Sequence, residues 1–147
     1  MARSQFTVAD VEALIPTLEE IFLHVLQLRA GLRAVEEKLD KAGVRMSRDD
    51  LLESDAGPME IRQAKAVFRG FYEALSDEIE RVRALGGEVK DLETGLVDFP
   101  SRRGGEDILL CWKLGEKRID FWHPVDGGYS ARKPIDEQVA RTSQPLD

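Results

Sequence analysis

The chain has one cysteine, two histidines and no asparagine in 147 residues. A single cysteine excludes an internal disulfide framework and a cysteine-rich zinc site. Without asparagine there is no N-glycosylation acceptor. No stretch approaches the roughly 18 apolar residues of a membrane span, and the opening MARSQFTVADVEA lacks the apolar run of a signal peptide. Basic charge is also short: 21 Lys and Arg stand against 28 Asp and Glu, for a net charge of −7. Lacking a basic footprint, the chain is not expected to bind nucleic acid or an anionic membrane surface. These absences lead to the expectation of a cytoplasmic protein with one domain over 1–135 and a polar, frayed tail over 136–147.

What is there begins with helical periodicity. Thr7 and Asp10 have the spacing of a capping box, with Phe6 placed to staple onto Val11. Apolar residues then recur at Val11, Leu14, Leu18, Ile21, Val25, Leu28, Leu32, Val35 and Leu39. The spacings alternate between three and four residues, the pattern of a coiled-coil seam, and predict a helix over 7–41. Because the seam keeps its phase across Pro16, a kink is expected there in place of a break. Residues 42–58 read as a connection, with a turn of helix after Ser47. Ile61, Ala64, Phe68, Phe71, Leu75, Ile79, Val82 and Leu85 predict a second helix over 58–86, stopped by Gly86 and Gly87. The two helices, joined by one connection, are expected to lie antiparallel.

After the glycines the period changes to two. Residues 95–99 read as a short strand ending at Pro100, and 101–105 as a loop. Residues 107–114 and 117–123 read as strands joined by a two-residue turn at Gly115 and Glu116. That register puts Phe121 opposite Leu110, so Trp112 and Phe121 would face the helices and Trp122 the other side.

The familiar catalytic and nucleotide-binding strings are missing: no P-loop, G-x-G-x-x-G, H-E-x-x-H, G-x-S-x-G or C-x-x-C. The two histidines and the cysteine have no metal-ligand spacing, so neither a metal nor a cofactor is expected. The one constellation with chemical content is WHPVDGGY at 122–129, followed by Arg132. His123 ends a strand and enters a glycine-bearing loop, where a side chain is both held and accessible. Asp98 or Asp126 would orient its ring, and Arg132 would receive an anion. The plainer reading makes these a strand-end residue, a turn residue and a surface ion pair. Cys111, mid-strand, reads as packing unless a neighbour lowers its pKa. His24 and Glu78 border the apolar stripes, and Arg102 and Arg103 lie in a glycine loop. Each is a solvated group on its plainer reading.

The strings GLVDFP, LLCWKLGEKRIDFWHPVDGGYSARKPI and FTVADVEALIPTLE together resemble an uncharacterised bacterial family, domain of unknown function 2203. The resemblance runs from Phe6 to about Ile135 and is loosest over 42–59. It implies no activity. The residues therefore support an α+β fold: a long, coiled-coil-like antiparallel helical hairpin with a small three-stranded antiparallel sheet (88–134) at one end. Leu23 and Leu26 lie outside the first seam, as do Val67 and Ala74 on the second helix, which predicts a homodimer through the helices. The leading functional expectation is a non-catalytic assembly module. The alternative is a small-molecule-binding protein or enzyme with its site around His123, and the residues do not decide whether there is catalysis.

Overall fold

The computed structural model describes residues 5–44, 57–139 and 141. Its order is α1 (Val8–Glu12), α2 (Ile15–Lys41), α3 (Met59–Ala84), then β1 (Glu88–Asp91), β2 (Leu96–Arg103), β3 (Glu106–Lys113), β4 (Phe121–Pro124) and β5 (Lys133–Pro134). A single 3-10 turn, Tyr129–Ala131, precedes β5. The connection expected over 42–58 falls mostly on 45–56, outside the described residues. By its internal contacts the chain divides into two units, Met1–Phe22 with Ile79–Asp147, and Leu23–Glu78.

The capping box forms: Asp10 N donates to Thr7 Oγ1 at 3.1 Å and Thr7 N donates to Asp10 Oδ2 at 2.9 Å. The first helix does not continue through Pro16. It ends at Glu12, a turn covers Ala13 and Leu14, and α2 restarts at Ile15. Pro16 thus sits in the first turn of a new helix, where its missing amide hydrogen has no helical partner to lose. The expected kink is a break, yet the seam keeps its face: Val11, Leu18, Ile21, Val25, Leu28, Val35 and Leu39 are all buried. Gly86, at φ +100, ends α3, and Gly87 N donates to Val82 O at 3.1 Å.

In the unit Leu23–Glu78, Val35 and Leu39 of α2 cluster with Ala64 and Phe68 of α3. His24 pairs with Glu78 at 3.5 Å, and the Gly31 backbone lies under the Phe71 ring. Glu78 is buried while His24 is half-exposed, so a histidine at the rim meets the carboxylate at the stripe's edge.

In the other unit the sheet is fully antiparallel, in the order β1-β2-β3-β4-β5. The class is α+β as expected, but with five strands where three were predicted. β2 extends through Pro100 to Arg103 and turns at Gly104 and Gly105 into β3. Pro100 is tolerated because β1 stops opposite Asp98, so no β1 carbonyl faces the amide hydrogen that proline lacks. Its carbonyl accepts instead from Phe6 N at 2.8 Å.

The β3–β4 register departs from expectation by one residue: Leu110 pairs with Trp122, and Cys111 with Phe121. Residues 114–120 do not form a two-residue hairpin. Glu116 accepts twice near the end of β3, from Lys113 N at 2.7 Å and from Trp112 Nε1 at 2.9 Å. The chain is then drawn toward the first helices, where Ile119 N donates to Glu12 Oε2 and Lys117 meets Glu19. The slip exchanges the faces of Phe121 and Trp122. One face carries Val97, Phe99, Leu110, Trp112 and Trp122, and it meets Phe6 and Phe22: Phe6–Phe99 centroids lie 5.3 Å apart and Phe22–Trp112 5.9 Å. The start of the tail is not frayed. Val139 is buried and bridges Arg103, Gln138 O accepts from Gly104 N, and Asp136 pairs with Arg103 at 2.7 Å.

Candidate functional site

The opposite face of the sheet carries Asp98 on β2, Cys111 on β3 and His123 on β4. Asp98 is directly opposite Cys111, and His123 is opposite Leu109, one step along the same face. Asp98 and His123 are each 2 % exposed and Cys111 is 1 % exposed. Asp98 Oδ2 lies 2.9 Å from His123 Nε2, and one oxygen, one sulfur and one nitrogen of the three side chains lie within 4.8 Å of one another.

The hydrogen bonds settle the histidine's tautomer. Nδ1 lies 2.8 Å from the Pro124 carbonyl oxygen, which can only accept, so Nδ1 carries a hydrogen. Nε2 then shares a second hydrogen with Asp98 Oδ2, either as imidazolium beside carboxylate or as imidazole beside carboxylic acid. Asp98 Oδ1 is buried and has no hydrogen-bond partner. Asp98 also lines an open cavity of about 390 Å³ with Arg83, Gly86, Gly87, Glu88, Pro100 and Leu109.

This arrangement does not suit nucleophilic catalysis. Both ring nitrogens are already engaged, so His123 has none free to take a proton from a substrate. Burial pushes the Cys111 thiol up to about 12, with the Asp98 charge adding to the rise and Arg132 opposing it. A thiol so shifted is neutral at physiological pH and a poor nucleophile.

Of the residues picked from sequence, Asp98 and His123 meet. Asp126 is exposed in the loop after β4 and is not a partner of the ring, whose orienting acid is Asp98. Arg132 is engaged elsewhere: Nη2 donates to Glu116 Oε1 at 2.6 Å and to the Cys111 carbonyl at 3.1 Å. Its guanidinium stacks on Phe121 at 4.2 Å and Tyr129 at 4.9 Å. Arg102 and Arg103 face Asp107 and Asp136. Cys111 is the member that sequence reasoning set apart. The signal for it was Gly104-Gly105, a two-residue turn whose register places Asp98 across from Cys111.

The family model of an uncharacterised conserved protein, DUF2203, matches residues 4–135. The chain belongs to this family. The match covers α1 to β5, including all three clustered residues, and the family's description assigns them no role. No curated protein and no solved structure matches the chain. Among the described residues, no helix is long and apolar enough to cross a membrane.

Proposed function

We propose that this DUF2203 chain is a ligand-binding protein whose site is the Asp98–His123 pair, with Cys111 beside it. One observation carries the reading: Asp98 Oδ1, buried without a hydrogen bond in a carboxylate that lines a cavity. Leaving such an acceptor unmatched costs on the order of 1–3 kcal/mol, a cost that a ligand donor or a cation at that oxygen removes. Asp98 is the contact, and His123, tied at both nitrogens, holds it in place. Crystals grown from protein purified without added ligand, then soaked with small hydrogen-bond donors and divalent cations, test this. Ordered density within bonding distance of Asp98 is expected. A cavity empty of everything but bulk solvent in every crystal would reject it.

A second reading rests on a separate observation in the unit Leu23–Glu78. Leu23, Leu26 and Val67 are 59, 42 and 49 % exposed, a large apolar presence for two helices. On this reading the contacts His24–Glu78, Gly31–Phe71 and Val35–Phe68 belong to an antiparallel, coiled-coil-like hairpin. The hairpin pairs with a second copy in a four-helix arrangement, so the chain serves as an assembly module.

A further inference from the structure

We propose that Asp98, Cys111 and His123 form a binding site for one divalent transition-metal ion of the zinc class. This rests on the ligand site proposed above and names its ligand.

Three observations point the same way. The first is convergence: one donor atom from each of three adjacent strands, all buried, lies within 4.8 Å of the other two. Bond lengths of about 2.0–2.3 Å to a tetrahedral ion put its donors about 3.4 Å apart. The His123–Asp98 contact at 2.9 Å must therefore open slightly, and no pair has to close by more than about 1.4 Å. Side-chain torsions on fixed strands supply both movements.

The second observation is the histidine's orientation. Nδ1–H is held by the Pro124 carbonyl, the outer partner that a ligating imidazole commonly has, and this aims Nε2 at the cluster. The third is Asp98 Oδ1, buried without a hydrogen-bond partner. A thiol, an imidazole and a carboxylate together suit a borderline or soft divalent ion and disfavour magnesium or calcium.

The exchange balances. Without metal, one hydrogen lies between Nε2 and Oδ2 and one on the thiol, and the three groups sum to zero charge. The ion replaces both hydrogens, and two protons leave to solvent. Neutral imidazole, carboxylate, thiolate and a divalent cation again sum to zero, so no uncompensated charge is buried. Three protein donors leave a fourth position for water or a small ligand.

The test uses the full chain, treated with a chelator and titrated with Co²⁺. One equivalent is expected to bind, with the near-ultraviolet band of a thiolate–cobalt bond and the visible bands of a four-coordinate ion, and zinc is expected to displace it. Cys111→Ser should lose the near-ultraviolet band. Asp98→Asn and His123→Gln should weaken binding about tenfold or more, and Asp126→Asn should change nothing. Wild-type protein loaded with zinc should show one sulfur at about 2.3 Å in X-ray absorption, a readout that needs no variant to fold. A bound ion with no sulfur neighbour, or no binding at one equivalent, overturns the metal assignment. If cobalt fails while another molecule occupies Asp98 in the crystals, the ligand site stands without its metal.

Discussion

Asp98 on β2 and His123 on β4 meet at 2.9 Å across the intervening strand, both 2 % exposed. The hydrogen bond to Pro124 fixes one side of the ring, so the other side has no partner but the carboxylate and its neighbour Cys111. A buried polar pair of this kind is costly to break from one side only.

His123→Leu should therefore lower stability by about 3–5 kcal/mol, because it leaves the buried carboxyl group without its partner. Adding Asp98→Asn to that variant should restore part of the loss, since the stranded acid is then replaced by a neutral amide. Chemical denaturation of the wild type, both single variants and the double variant measures the coupling. Strictly additive losses would show that the two side chains do not depend on each other.

The register makes a second prediction. Trp112 is fully buried and Trp122 is 6 % exposed, both on the face toward Phe22, whereas Phe121 lies on the other face under Arg132. Trp112→Ala and Trp122→Ala should each cost about 3–5 kcal/mol, and Phe121→Ala clearly less. The reverse order for positions 121 and 122, read from urea midpoints, would restore the two-residue hairpin.

Cys111 supplies a pH test. Its thiol is raised to about 12 in the folded chain, chiefly by burial, whereas an unfolded thiol ionises near about 8.5. The protonated thiol therefore contributes stability in full below the unfolded value, and that contribution is lost as pH rises toward 12. The stability difference between wild type and Cys111→Ser should shift against the wild type between about pH 9 and 12. At pH 8 the native thiol should resist alkylation and react only as the chain unfolds. Rapid labelling of folded, chelator-treated protein would contradict its burial.

Association through the helices is a fourth expectation. Light scattering at on the order of tens of micromolar should give a dimer mass for the wild type and a monomer mass for Leu26→Glu, with circular dichroism unchanged. A monomeric wild type at those concentrations removes the assembly reading and leaves the sheet site untouched.

The sequence by itself determined what depends on local periodicity and local chemistry. The three–four spacing named the buried stripe of α2 almost residue by residue, Thr7 and Asp10 announced their cap, and Gly86 marked where α3 stops. Such features rest on contacts within a few residues, so their cause lies in the string. Even at Pro16, where the helix breaks, the stripe survived, because helical phase is nearly preserved across a single tight turn. Tertiary structure decided the register of β3 against β4. Alternation says that neighbours face opposite ways but not which way, and the choice fell to Glu12 and Glu116, whose hydrogen bonds pull residues 114–120 out of a tight turn. The same holds for β1 and β5, whose short polar sequences become strands only because an edge awaits them. Asp98, Cys111 and His123 are separated by 13 and 12 residues in the chain, and no spacing rule joins them. They become one cluster because three antiparallel strands turn the same face, and that proximity is created only when the strands pair.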